Sequence, residues 1–339
     1  MRVRSLALAA GVVMCALASD AAYADVDVIV AFKSTVDGDL VEDHGGSNVR
    51  SIYGSCAVSA RMPAARIATL RAKAAVAYVE EDAIYAAAGA RPTRGKPPKD
   101  DPPDGGDDDL PATSSETMPW GVARVWWGAL TSDGGTWSLP TAPTSWETPV
   151  PSSNVTVAVI DSGIDLDHPD LNVDTQNDAN YVSTRKAPDD DNGHGTHVAG
   201  TIGAKANDLG VVGVAPGVTL FAVKVLDRRG YGTASAIAAG IAWADAKADI
   251  ANMSLGGTAK STTIFDALVA TRATKVNDDG ETVPDPEGDG LIVLAAAGNY
   301  GDGDLTTQEN FYPARHNKYV VAVGATTRAD YVSTFSNTG

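Results

Sequence analysis

The chain has 339 residues, of which 44% are hydrophobic and 20% are charged, and this ordinary balance excludes a wholly disordered or collagen-like protein. At roughly 100 to 200 residues per domain, the length predicts two folded units. The 43 acidic residues outnumber the 26 basic ones and give a net charge of −17, so no nucleic-acid partner is expected, because such proteins need positive charge opposite the phosphates.

The first 24 residues have the pattern of a secretory signal peptide. Arg2 and Arg4 form a basic start, residues 6–17 are apolar, and residues 22–24 read Ala-Tyr-Ala, which suits a cleavage site. A transmembrane anchor is the alternative, but the apolar run is shorter than the roughly 20 residues that a bilayer span needs. We therefore expect a secreted protein with no membrane contact after signal removal. Cys56 would then stand alone, without an intrachain disulfide.

Residues 25–88 predict a small α+β domain. Three β-like runs are joined by a stretch rich in Ala, Leu, Arg and Lys, which favours a helix. The runs are 26–32, 55–59 and 76–80, and the helical stretch is 64–74. Residues 89–115 then change to a composition rich in Pro and Asp, which cannot bury a core and predicts an extended linker.

Residues 116–339 predict the large domain, in which strand-like runs alternate with helical stretches. This alternation indicates an α/β fold with a mostly parallel sheet and helices on both faces. The runs are 155–160, 219–225, 249–253, 291–296 and 319–324, and the helical stretches include 194–204 and 233–246. In such a fold the catalytic groups gather at the carboxyl ends of the strands.

Three polar residues stand where this fold would place its chemistry. Asp161 ends the first run, His194 begins a helical stretch between two glycines, and Asn299 follows the run 291–296. An Asp that holds one nitrogen of a His makes the other nitrogen a general base. An amide donor such as Asn299 suits an oxyanion hole.

Each of these signals has a simpler explanation when it is taken alone. An Asp-Ser-Gly sequence after a strand is often only a turn. His194 and His197 have a spacing that could suit a metal, but the pattern lacks the glutamate of His-Glu-x-x-His and a third ligand, so zinc is not expected. We expect His197 to be a packed structural residue, and His44 and His316 to lie on the surface.

Four segments occur together in one order and resemble the subtilisin-like serine proteases, whose catalytic residues follow the order Asp, His, Ser. They are residues 159–164, 194–201, 252–256 and 296–299. The resemblance covers about 119–339 and implies a subtilisin-like α/β fold. Residues 25–88 are similar to the family's inhibitory propeptide, a small ferredoxin-like domain, most clearly at 76–82. The resemblance therefore implies a serine endopeptidase precursor with its own propeptide as intramolecular inhibitor and chaperone.

The resemblance also implies roles for individual residues. Asp161 orients His194, His194 is the base, and Asn299 stabilises the oxyanion. An extended polypeptide substrate would pair with the backbone near Ser254, Leu255, Gly256 and Gly298. The propeptide junction would fall near Ala88 and Gly89. A pocket bounded by Ala234, Ile237 and Leu255 would then receive Tyr85, the fourth residue before the cut.

The sequence departs from the family at the nucleophile. The family places its serine in a Gly-Thr-Ser-Met-Ala-x-Pro segment, and none occurs in these 339 residues. Ser254 belongs to the substrate strand, Ser235 lies early in a helix, and Ser336 precedes the last three residues. We expect the serine to lie beyond Gly339 and residues 1–339 alone to be inactive. The alternative is a non-catalytic, secreted peptide-binding protein on the same fold.

The segment 205–211 resembles the family's structural calcium loop. The ligands that this implies are Glu116, Asp170, Lys205, Asn207, Leu209 and Val211, with Glu116 standing where the family uses Gln. Hard oxygen ligands of this kind suit Ca²⁺. The alternative is that Asn207 and Asp208 only cap a turn. Residues 189–191 form an acidic run that is either a second calcium site or a solvated loop.

Overall fold

The computed structural model describes residues 25–88, 116–127, 131–133, 136–138, 154–272, 274–276, 282–284, 290–304 and 308–338. The predicted signal peptide and linker lie outside these residues. The chain divides into two compact units, one of Met1–Ala83 with Ser261–Thr263 and one of Ile84–Lys260 with Ile264–Gly339. Within the described residues, no helix is long and apolar enough to cross a membrane.

The first unit is built on a four-stranded antiparallel sheet with the order β2-β3-β1-β4. Its strands are β1 (Asp25–Phe32), β2 (Ser47–Ser51), β3 (Ala57–Pro63) and β4 (Val76–Glu81). Helices Gly38–Asp43 and Ala64–Arg71 connect the strands in a β-α-β-β-α-β sequence, which is ferredoxin-like. The α+β architecture agrees with the sequence analysis, which missed the helix Gly38–Asp43 and the strand β2.

The core of the first unit follows from alternation along its strands. Val28, Val30 and Phe32 of β1 are buried on one face of the sheet and pack with residues of β3 and with Leu70 of the second helix. Strand β1 is central, between β3 and β4, so its apolar residues are buried most completely.

Glu80 of β4 is a hydrogen-bond acceptor for residues 261–263 of the same unit. Its Oε1 accepts bonds from the Ser261 hydroxyl at 2.8 Å and from the Thr263 hydroxyl at 2.7 Å and amide at 3.0 Å, and its Oε2 accepts the Thr262 amide at 2.8 Å. Burial raises the pKa of Glu80, but these hydrogen bonds outweigh burial and hold the pKa below its ordinary value.

The second unit contains the predicted parallel sheet, with six strands in the order β17-β16-β12-β8-β10-β9. These are β8 (Thr156–Asp161), β9 (Ala179–Asn180), β10 (Thr219–Lys224), β12 (Ile250–Met253), β16 (Ile292–Ala296) and β17 (Val321–Val323). Strand β8 is almost continuously apolar and buried, as expected for a parallel strand covered on both faces.

The described residues after position 115 include four helices: Trp120–Trp127, His194–Gly203, Ala234–Asp245 and Thr262–Ala270. The helix Ala234–Asp245 is buried along most of its length, which its small Ala and Gly side chains permit, and Thr233 caps it by accepting the Ala236 amide at 3.3 Å. Two hairpins are also present, β6 (Thr131–Asp133) with β7 (Thr136–Ser138) and β14 (Thr274–Val276) with β15 (Thr282–Pro284).

A small antiparallel sheet of order β11-β5-β13 completes the second unit. It joins β5 (Ile84–Ala87) to β11 (Tyr231–Thr233) and β13 (Leu255–Gly256). Strand β5 lies between two strands that follow β10 and β12, so residues 84–88 run close to the carboxyl edge of the large sheet.

Candidate active site

Asp161 and His194 meet at the carboxyl edge of the parallel sheet. Asp161 is the last residue of β8 and is 0% exposed, and its Oδ1 accepts a bond from His194 Nδ1 at 2.8 Å and from the Ser162 amide at 2.7 Å. The bond to Asp161 raises the pKa of His194 above its ordinary value, against the opposing effect of burial, and the charge of Asp161 raises it further. The carboxylate of Asp161 therefore orients the imidazole of His194.

Two glycines allow the helix that carries His194 to approach the end of β8. Gly193 precedes the helix with φ at 101°, a left-handed conformation that favours glycine. A Cβ atom at Gly195 would overlap the Gly163 carbonyl and lie 3.2 Å from Cβ of Asp161. Any larger residue at position 195 would therefore push the helix away and lengthen the contact between Asp161 and His194.

Asp190 organises the loop before His194. Although burial raises its pKa, bonds from the Thr196 side chain and from neighbouring amides hold it below the ordinary value. The donors are the Ser162 hydroxyl, the amides of Asn192, Gly193 and Thr196, and the Thr196 hydroxyl, at 2.6 to 2.9 Å. Sequence analysis treated this residue only as part of an acidic run, and it missed the buried Lys224, whose Nζ donates to the Ser162 carbonyl and to Asp191.

Strand β5 (Ile84–Ala87) and the residue that follows it, Ala88, lead to His194. The Ala87 amide donates to the Gly230 carbonyl at 2.9 Å, and the Ala88 amide donates to the Ser254 carbonyl at 2.7 Å. The Ala88 carbonyl then lies 3.1 Å from His194 Nε2. Backbone hydrogen bonds thus hold this segment on both sides, and one of its carbonyl groups faces His194. Peptides that bind by adding a strand to a sheet edge are held in the same way.

Some of the substrate residues named from the sequence pair with this segment. Leu255 and Gly256 pair with Ala87 and Ala86. Leu255 is fully buried on β13, which pairs with β5, and Ala234 and Ile237 are fully buried on the helix that follows β11. Tyr85 is 1% exposed, and its hydroxyl donates to the Ala259 carbonyl at 2.7 Å. The aromatic side chain at this position is therefore enclosed, with its polar end satisfied.

Asn299 lies on an exposed loop just after β16, at the same edge of the sheet as Asp161. Asn337 holds the backbone on both sides of Asn299, because its amide donates to the Gly298 carbonyl at 3.0 Å and its Oδ1 accepts the Tyr300 amide at 2.7 Å. Gly298 has φ at 110°, so this turn needs glycine. The sequence analysis did not single out Asn337, because its contribution depends on a contact 37 residues away.

The predicted calcium-loop residues come together around Asp170. Glu116 accepts the Asn207 amide at 2.8 Å, and the Asp170 carboxylate lies 3.4 Å from the Val211 amide. Asn207 Oδ1 also accepts the Leu209 amide at 3.1 Å, and the Lys205 amide donates to the Asp170 carbonyl at 2.9 Å. Asp170 Oδ1 is buried and has no hydrogen-bond partner in the described part of the chain.

An orphaned buried carboxylate oxygen beside amide and carbonyl groups fits a hard cation. Across the described residues, no three His, Cys, Asp or Glu side chains converge on a metal position. An ion at this loop would therefore rely on the two carboxylates of Glu116 and Asp170 and on amide or carbonyl oxygens. In the run 189–191 the carboxylates face protein donors instead, such as the Leu166 amide for Asp189 and Lys224 for Asp191.

Two histidine predictions were wrong. His197 is exposed rather than packed, because it lies on the outer side of the helix that begins at His194. His316 is buried rather than on the surface, with its ring between Phe265 at 5.1 Å and Tyr312 at 5.0 Å. Neither outcome was visible in the local sequence, because both depend on which elements pack nearby.

An Asp-His pair at the edge of a parallel sheet, facing a carbonyl of an extended strand, is the arrangement that a peptide-binding hydrolase needs. The subtilase family profile (Peptidase_S8) matches residues 152–339. The chain is 34% identical to Subtilisin E of Bacillus subtilis over 338 residues, which are 96% of this chain and 72% of that protein. It is 41% identical to Subtilisin of Bacillus pumilus over 230 residues, 66% of this chain and 70% of the relative. The chain therefore belongs to the subtilase family of serine endopeptidases.

Proposed function

We propose that this protein is the precursor of a secreted serine endopeptidase that hydrolyses polypeptides with His194 as general base. The proposal rests on two contacts of the His194 ring. Its Nδ1 lies 2.8 Å from Oδ1 of Asp161, and its Nε2 lies 3.1 Å from the carbonyl oxygen of Ala88. Residues 1–24 are the proposed secretion signal, and residues 25–88 the proposed inhibitory propeptide, of which residues 84–88 occupy the substrate cleft.

In the proposed reaction a serine hydroxyl attacks the carbonyl in the position of Ala88. Neutral His194 takes the hydroxyl proton at Nε2, and Asp161 stabilises the imidazolium through Nδ1. Asn299 donates a hydrogen bond to the oxyanion. His194 then gives the proton to the leaving amine. The attacking serine is expected in a Gly-Thr-Ser segment, which these 339 residues do not contain, so residues 1–339 alone are expected to hydrolyse nothing.

Calcium is the proposed structural cofactor. Glu116, Asp170 and Asn207 would hold it with side-chain oxygens, and Lys205, Leu209 and Val211 with carbonyl oxygens. When bound, the ion would join the chain near residue 116 to the loop 205–211, and the orphaned Oδ1 of Asp170 supports this assignment. The ion has no part in the proposed reaction.

The test is peptide hydrolysis by the gene product that carries the serine segment. His194→Ala is expected to lower kcat by at least about 10⁴-fold, whereas His197→Ala, the exposed histidine one turn along the same helix, is expected to stay within about threefold of the original. Near-normal turnover by His194→Ala would overturn the proposal. If the gene product with the serine segment and an unchanged His194 binds peptides tightly but does not hydrolyse them, the non-catalytic alternative is favoured.

A further inference from the structure

The ring of Phe311 is buried between two glycines beside the candidate active site. Its side chain is buried, with the residue 4% exposed, and its ring is wedged against two glycines from different segments. A Cβ atom at Gly256 would lie 2.6 Å from Cζ of the ring, and a Cβ atom at Gly298 would lie 2.8 Å from both Cγ and Cδ1. Both glycines are therefore required by the ring, which fills the space between the two segments.

Backbone hydrogen bonds fix this ring in place. Tyr312 and Gly257 form a two-bond antiparallel bridge, with the Gly257 amide 2.9 Å from the Tyr312 carbonyl and the reverse pair at 2.8 Å. The bridge sets Phe311 next to Gly256. The Tyr300 ring also packs against the Phe311 ring, with centroids 5.7 Å apart. The Phe311 ring is therefore held in a fixed position by its neighbours.

The same two segments flank the residue that precedes the proposed scissile bond. Ala88 donates its amide to the Ser254 carbonyl, on the segment that contains Gly256. In the proposed reaction its carbonyl is polarised by Asn299, next to Gly298. With these two contacts, the proposed reaction places the Cα atom of this substrate residue between the two segments and directs its side chain into the gap between them.

We infer that Phe311 closes the pocket for this side chain and restricts cleavage to bonds that follow a small residue, namely Gly, Ala or Ser. Ala88, whose side chain is a single methyl group, fits that restriction. A leucine or an aromatic residue in the position of Ala88 would need the volume that the Phe311 ring already occupies. Moving a ring out of a packed interior is energetically unfavourable. This inference rests on the proposed function, because it concerns the specificity of that same site.

The first experiment uses the gene product that carries the serine segment and peptide p-nitroanilides of sequence Tyr-Ala-Ala-Xaa, where Xaa is Ala, Leu or Phe. The original protein is expected to show kcat/KM for Ala at least about 100-fold above that for Phe. Phe311→Gly is expected to reduce this ratio by about 100-fold, mainly by gaining activity on Leu and Phe. Phe265→Ala, which removes an aromatic ring away from the two glycines, is the control and is expected to leave the ratio unchanged.

The second experiment begins with a variant that creates no cavity. Ala88→Phe in the precursor is expected to slow release of the propeptide at least about tenfold, and adding Phe311→Gly to the same chain is expected to restore it. Normal processing of Ala88→Phe, or equal hydrolysis of the Ala and Phe peptides by the original protein, would overturn the inference while leaving the proposed function intact. Absence of hydrolysis of every peptide by the original protein would overturn both.

Discussion

Asp161 is completely buried and yet bonds directly to the partly exposed His194, with 2.8 Å between Oδ1 and Nδ1. In the described residues the other carboxylate oxygen, Oδ2, is buried without a hydrogen-bond partner. The hydrogen bond to Asp161 and the charge of Asp161 both raise the pKa of His194.

The first prediction concerns pH. The hydrogen bond to Asp161 raises the pKa of His194 above its ordinary 6.5, and burial opposes this only in part. Because only neutral imidazole can accept a proton, we expect kcat/KM to rise with pH through this raised pKa. Asp161→Asn is expected to move the pKa of His194 downward and to lower kcat by about 10⁴-fold. NMR titration of the imidazole and a pH-rate profile measure the two effects.

Asp167→Asn, at an exposed aspartate, is the matched control and is expected to change neither the pKa of His194 nor kcat.

The raised pKa of His194 also affects the free energy of unfolding. A histidine whose pKa is raised by folding stabilises the native state below the unfolded pKa, and this contribution is lost as the pH rises through the folded pKa. An unshifted His194 titration in Asp161→Asn would contradict the assignment.

The second prediction concerns Asn299. An oxyanion donor acts in the transition state and adds little to substrate binding, so Asn299→Ala is expected to lower kcat by roughly 100- to 1,000-fold with little change in KM. Asn317→Ala changes an exposed asparagine on another loop and serves as the control. A rise in KM with unchanged kcat would show that Asn299 binds substrate and does not stabilise the oxyanion.

The sequence predicted the parallel strands well because a strand covered on both faces must be almost continuously apolar, as in β8. It missed β2, whose residues are largely exposed, and β5, whose pairing partners β11 and β13 are more than 140 residues away in the chain. No local pattern encodes such pairing. The helix Gly38–Asp43 has six residues, too few to show a clear helical period.

Within the candidate site, Asp161 and His194 could be recognised because each lies in a motif with glycines at positions that tight packing requires. Phe311 could not be recognised in this way. Its importance comes from two glycines that precede it, Gly256 and Gly298, and from the bridge between Gly257 and Tyr312. The role of such a residue depends on tertiary contacts, so its local sequence does not predict that role.

The third prediction concerns calcium. An ion that binds the folded loop and not the unfolded chain stabilises the second unit by mass action, so a chelator is expected to lower its Tm and added calcium to restore it. Asp170→Asn is expected to abolish this response, whereas Asp167→Asn, on the same loop but exposed, is expected to preserve it. Differential scanning calorimetry with and without chelator provides the measurement. A chelator-insensitive Tm at saturating calcium would contradict the site.

The last prediction concerns acid stability and rests on His316. Burial lowers the pKa of this imidazole, the charge of Lys260 lowers it further, and Nε2 is enclosed with no hydrogen-bond partner among the described residues. Folding therefore lowers the pKa of His316 below that of the unfolded chain. Stability from this residue is present above the unfolded pKa and is lost as the pH falls through the folded pKa.

As the pH falls through the ordinary histidine pKa of 6.5, we expect the free energy of unfolding to fall, because the unfolded chain takes up this proton before the folded protein does. His316→Gln removes the titrating group, so its unfolding free energy is expected to change less steeply over this range, even if its stability at pH 7 is lower. His197→Gln, at an exposed histidine, is expected to keep the original slope. Urea unfolding at several pH values measures the slopes, and an identical slope for His316→Gln and the original protein would show that His316 does not control acid sensitivity.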